Sequence, residues 1–112
     1  MREVRIMSEY AIVLITTPDE EMAAKIAKSL VKNQLAACVS IIPQVRSIYR
    51  WEGEICDDNE VQLIVKTVTE VFDQVQRVVK DIHSYDIPEI MLLPIENGSE
   101  DYLQWIDNCV SI

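Results

Sequence analysis

A single histidine, His83, sits in the run Ile82-His83-Ser84-Tyr85-Asp86-Ile87-Pro88-Glu89. Its imidazole could ligate a metal or carry a proton near neutral pH. No second histidine exists to complete a local motif, so such a site must be assembled across the fold or between subunits. The plainer reading is a histidine at a helix C-terminus, where the dipole favours it. Cys38, Cys56 and Cys109 are odd in number and include no Cys-x-x-Cys pair. They fit neither a disulfide framework nor a structural zinc site. Cys38 falls in an apolar strand, where a free cysteine packs as a small hydrophobe or offers a thiolate. Cys56 stands beside Asp57 and Asp58 near a hairpin tip. Gly53 and Gly98 are the only glycines and lie far apart, which excludes a glycine-rich phosphate loop and a Gly-x-Ser-x-Gly elbow. With no nucleophile–base pair in view, the chain does not read as an enzyme. The side chains suited to a groove are Lys66, Glu60, Glu89, Tyr85, Tyr49, Trp51 and Trp105. Their alternative use is interface packing with ordinary salt bridges.

The elements that must position these groups follow from spacing. Residues 10–16 are almost all apolar, which suits a central strand. Thr17-Pro18-Asp19-Glu20 predicts a helix start, with Thr17 as cap, Pro18 in the first turn and Glu20 closing a capping box. Met22, Ala23, Ile26, Ala27, Leu30 and Val31 then recur at helical spacing up to a stop near Asn33. Residues 37–42 form the next strand, and Pro43 marks an edge or a bulge. Alternation resumes to Trp51, Gly53 turns the chain, and Asp57-Asp58-Asn59 suggests a second irregularity. Beyond it Val61, Leu63 and Val65 share one face, and Glu60, Gln62, Ile64 and Lys66 the other. Thr69 is placed to cap a second helix with a stripe from Val71 through Val75 and Val79 to Ile82, rich in β-branched residues and so dependent on packing. Residues 87–95 predict the last strand, and Ser99 caps a short helix carrying Tyr102, Leu103, Trp105 and Ile106. The order β-α-β-β-α-β, with right-handed crossovers, gives an α+β ferredoxin-like sandwich with two helices on one face of a four-stranded antiparallel sheet. Residues 1–9 read as a flexible leader and residues 10–112 as one domain.

Composition limits the partners. Nineteen acidic residues against ten basic ones leave a net charge of -9, no footprint for a phosphate backbone, so no nucleic acid is expected. No apolar run reaches the ~20 residues of a membrane span, so no membrane is expected either. The absence of a signal-peptide pattern, together with unpaired thiols, points to the cytosol. The hairpin arms are far longer than the usual strand of about 5–6 residues. A chain of 112 residues cannot cover both faces of such an arm, so self-association is expected, with Trp51 anchoring the hairpin tip or its neighbour.

Several ordered blocks resemble the CutA family of divalent-cation tolerance proteins. They include Thr17-Pro18-Asp19-Glu20, Leu35-Ala36-Ala37-Cys38-Val39, Ser47-Ile48-Tyr49-Arg50-Trp51-Glu52-Gly53, Val65-Lys66-Thr67, the run from His83 to Glu89, and Asp101-Tyr102-Leu103-Gln104-Trp105. The resemblance implies a tight homotrimer similar to the PII signalling proteins, a role in tolerance of copper and other divalent metals, and no enzymatic reaction. Three uses are compatible with it: a metal-homeostasis protein, a PII-like sensor with a small ligand between subunits, and a structural trimeric adaptor. The implied inter-subunit cleft would draw on Lys66, Tyr85, Glu89, Trp51 and Tyr102. His83 and Cys38 are the candidate metal ligands, for weak binding of copper or another divalent cation. Ser84 replaces a usual proline, Asp86 a common glutamate, and Ile15 a cysteine that some members use for copper. Of an adjacent histidine pair only His83 remains.

Overall fold

In a computed structural model the described residues are 9–111. The expected leader therefore lies, apart from Glu9, outside the described residues. The elements are β1 (Tyr10–Thr17), α1 (Glu20–Lys32), β2 (Cys38–Trp51), β3 (Glu54–Val68), a 3-10 turn (Thr69–Val71), α2 (Phe72–Ile82), β4 (Ile90–Pro94) and α3 (Glu100–Cys109). The strands form one antiparallel sheet in the order β2-β3-β1-β4. This is the expected ferredoxin-like arrangement.

One face of the sheet makes the core. Val13 and Ile15 from β1 and Leu63 and Val65 from β3 are fully buried with Ile26, Leu30, Val75 and Val79 of the two main helices. Each such side chain contributes about 1.5–3 kcal/mol of transfer free energy, which is what holds the β-branched α2 helical. The other face is only partly covered. Ile12, Leu14, Ser40, Ile64 and Lys66 are half-buried there, and Ile42, Met91 and Leu93 are exposed.

Local chemistry corrects four expectations. Asp19, not Thr17, caps α1: its carboxylate accepts the Met22 N–H at 2.8 Å. Thr17 still belongs to β1, because its pairing with Val61 continues the ladder, and its hydroxyl donates to the Asp19 carbonyl. Thr69 does not cap α2; it opens the 3-10 turn, and the residues in the two cap positions are the valines Val68 and Val71, which have no side-chain acceptor. The last strand starts at Ile90 rather than Ile87, since β4 is held only where it pairs with residues 11–15 of β1. Finally, Asp57, Asp58 and Asn59 pair in unbroken register with Ile48, Ser47 and Arg46. The one bulge lies between Ile42 and Val45, where Pro43 lacks a donor and Gln44 takes a φ of 59°. Ser99 caps α3 as expected, accepting the Tyr102 N–H.

The hairpin closes through Glu52 (φ 49°) and Gly53 (φ 80°), with Trp51 opposite Glu54. Two consecutive positive φ values mark a type I′ turn, whose twist matches the strands it joins. Pairing of β1 with β3 stops at Val61, so residues 45–51 and 54–60 continue as a two-stranded ribbon. That ribbon stretches the molecule to 52 × 26 × 22 Å.

Candidate functional site

The ribbon and the loop between α2 and β4 enclose a cleft of about 670 Å³. Thr16 of β1 and Glu60 of β3 line it, together with Ser47, Tyr49 and Trp51 of the ribbon. From the loop come Ser84, Tyr85, Asp86, Ile87 and Glu89. Ile48 also borders it, and strand alternation explains the rest of the ribbon's share. Ser47, Tyr49 and Trp51 lie opposite Asp58, Cys56 and Glu54, on the face that continues from Glu60.

His83 organises the loop. The Tyr85 N–H donates to Nδ1 at 3.1 Å, so Nδ1 is the unprotonated nitrogen. Nε2 lies 2.6 Å from the Thr16 carbonyl and must donate to it. The imidazole is thus the neutral Nε2–H tautomer with both nitrogens engaged, tying the end of α2 to the end of β1. Its ring also stands 4.7 Å from that of Tyr85. A metal at Nδ1 would have to displace the Tyr85 amide.

Tyr85 crosses the cleft and its hydroxyl donates to Glu60 Oε2 at 2.8 Å. Desolvation raises the Tyr85 phenol above its ordinary range, and the bond to Glu60 and the negative charge of Glu60 add to this. Tyr49 donates to Asp58 at 2.5 Å, and that bond foremost raises its phenol as well. Gln62 donates to Glu89 at 3.3 Å and to the Ile15 carbonyl at 3.1 Å, steadying the far carboxylate.

Of the five cleft candidates, Trp51, Tyr85 and Glu89 line one cavity. Lys66 does not join them. It pairs with Cys38 across β2 and β3, with Nζ donating to Ser40 Oγ and lying 3.7 Å from Cys38 Sγ. It lies six positions beyond Glu60, about 20 Å along a strand. Tyr102 packs its ring at a tilt against Trp105 of α3, at 5.4 Å between ring centroids, and neither lines the cleft. The two metal candidates part company as well: Cys38 meets Lys66, and His83 meets Thr16. Among the described residues no group of three or more His, Cys, Asp or Glu side chains is arranged to hold a metal ion. Sequence reasoning missed Thr16, Ser47, Ile48, Ser84, Asp86 and Ile87 as lining residues, Gln62 as the support of Glu89 and Asp58 as that of Tyr49. The strand parity shared with Glu60 was the signal for Ser47, Asp58 and Gln62; nothing marked the others.

A ferredoxin-like α+β domain, with its β2–β3 hairpin drawn into a ribbon above an acidic and aromatic cleft, is the class that fold and site define. The family described as CutA1 divalent ion tolerance protein matches residues 11–109, and the chain belongs to that family. A divalent-cation tolerance protein CutA of Thermus thermophilus is 52% identical over 95 residues, covering 85% of this chain and 92% of that protein. The chloroplastic protein CutA of Arabidopsis thaliana is 42% identical over 97 residues, 87% of this chain; the match spans about half, 53%, of the plant protein. The solved Thermus thermophilus structure superposes with a TM-score of 0.89 at 48% identity, covering 91% of this chain and 99% of that one.

Proposed function

We propose that this chain acts in divalent-metal tolerance as a cytosolic homotrimer without enzymatic activity. The half-covered sheet face supports this most directly. Ile42, Met91 and Leu93 are 43%, 50% and 44% exposed there, beside half-buried Ile12, Leu14 and Ile64. A contiguous apolar face of this kind marks an association surface, and a bare two-stranded ribbon is marginal alone. Closed symmetry would also protect the edges of β2 and β4. The threefold count comes from the family resemblance, and the metal role from the name of the Thermus relative. Three free thiols suit a reducing compartment. Copper or another divalent cation is held weakly in this reading, since His83 has both nitrogens occupied and one imidazole cannot complete a coordination sphere. Sedimentation equilibrium at micromolar concentration should give the trimer mass; a monomer overturns the assembly. Copper bound tightly by both the wild type and His83→Ala overturns the metal assignment.

The cleft favours a second reading, a PII-like sensor of a small ligand. Its volume lies in the range of about 300–1,000 Å³ typical of small-molecule sites.

A further inference from the structure

We infer that the cleft between the ribbon and the α2–β4 loop binds a small organic cation carrying N–H donors, an alkylammonium or alkylguanidinium. The inference rests on the second reading above, that the cleft holds a small ligand, and adds that ligand's charge and chemistry.

Beside the hydroxyls of Thr16, Ser47 and Ser84 and the side chains of Ile48 and Ile87, two kinds of surface dominate the cavity. Glu60, Asp86 and Glu89 supply carboxylates, and Tyr49, Trp51 and Tyr85 supply rings. Among the described lining residues none is basic. An anion would meet three carboxylates without a compensating charge. A neutral ligand would use the rings and leave the charge of the carboxylates unanswered. An organic cation uses both, because aromatic faces attract positive charge electrostatically.

The polar details fit donors rather than a bare ion. Glu60 is 9% exposed, so its charge is poorly screened by water. It accepts one hydrogen bond, from Tyr85, and Glu89 accepts one from Gln62. A carboxylate offers about four lone-pair sites, so both keep capacity for charge-assisted N–H bonds. A divalent ion would need several oxygens converging at short range, whereas no such group is gathered among the described residues. Both phenols are pinned by carboxylates, Tyr49 by Asp58 and Tyr85 by Glu60. Fixed rings lower the ordering cost of binding.

The test is calorimetry on the full chain in its solution assembly, at constant ionic strength, with three ligands of matched shape: butylguanidinium chloride, its neutral analogue butylurea, and sodium pentanoate. A parallel NMR titration follows the Trp51 indole N–H. Butylguanidinium should bind saturably and shift that resonance. Glu60→Gln and Glu89→Gln, which keep shape and accepting oxygens, should each weaken it by about three- to tenfold. Butylurea should bind at least about tenfold more weakly than the cation. Equal binding of butylurea, or preference for pentanoate, overturns the cation assignment and leaves the small-ligand reading standing. Failure of all three ligands to shift Trp51 removes both.

Discussion

Tyr85, like Tyr49, has a phenol raised well above its ordinary range. Its phenol is raised by desolvation first and by Glu60 second, so the neutral form is the folded form. The folded protein therefore holds this proton more tightly than the unfolded chain does. Its stabilising contribution is complete below the ordinary tyrosine range and declines as pH rises through and beyond it. We expect the Tyr85 ring carbon next to the hydroxyl to stay unshifted in a 13C titration through the ordinary tyrosine range; a normal titration there would break the link to Glu60. Tyr85→Phe leaves a buried carboxylate short of a partner and should cost about 1–3 kcal/mol in urea unfolding. That penalty should shrink in strong alkali. His83 shows the same logic without a charge: two fixed bonds make it a splice between α2 and β1.

Among the elements, the end of α1 is informative because its chemistry is suboptimal. Gln34 takes a φ of 58°. Its N–H bonds the Val31 carbonyl and the Leu35 N–H bonds the Leu30 carbonyl at 2.9 Å, the two bonds of a Schellman cap. Leu30 and Leu35 are both buried beneath it. Glycine is the usual residue at this left-handed position, and glutamine is strained there. Gln34→Gly should therefore stabilise the protein by about 0.5–1 kcal/mol, read as a raised denaturation midpoint with unchanged m-value. A lower midpoint would show that the glutamine side chain contributes more than its backbone strain costs. The ribbon is a different case. Arg46 grips Asp57 through Nε at 2.8 Å and Nη2 at 2.6 Å, and the guanidinium holds the Asp57 carboxyl below the usual range. Both groups are solvated, so this pair orients the strands more than it stabilises them.

The whole molecule is dominated by surface that one chain leaves uncovered. Ile48 and Ile55 are 65% and 72% exposed on the ribbon, and the open sheet face adds Ile42, Met91 and Leu93. Under the proposed assembly, Ile64→Glu places a charge in the middle of that face, between Ser40 and Leu14. It should leave the helical core intact and shift sedimentation toward the monomer. Full retention of the trimer by this variant would place the interface elsewhere. Trp51, expected to anchor the tip, is 42% exposed in the single chain, where its ring lines the cleft. Trp51→Ala should weaken the assembly if the ring also anchors a neighbour; sedimentation reads this directly.

Periodicity was enough for the frame. The apolar stripes of α1 and α2, the alternation of β3, the Gly53 turn and the Pro43 bulge are all local signals with local causes, and each appears where the pattern places it. The α2 cap and the start of β4 were not legible, because a 3-10 turn and a strand end depend on which neighbours supply bonds. The site was legible in part. Trp51, Tyr85 and Glu89 could be named by chemistry, since large aromatic rings and carboxylates stand out in a sequence. Their union in one cleft came from the loop after α2, which folds back over Glu60 from 25 residues away in the chain. The same long-range geometry sent Lys66 to Cys38 and Ser40, and turned both nitrogens of His83 toward backbone groups. Residue type fixes what a side chain can bond; only tertiary packing decides which bonds are already taken.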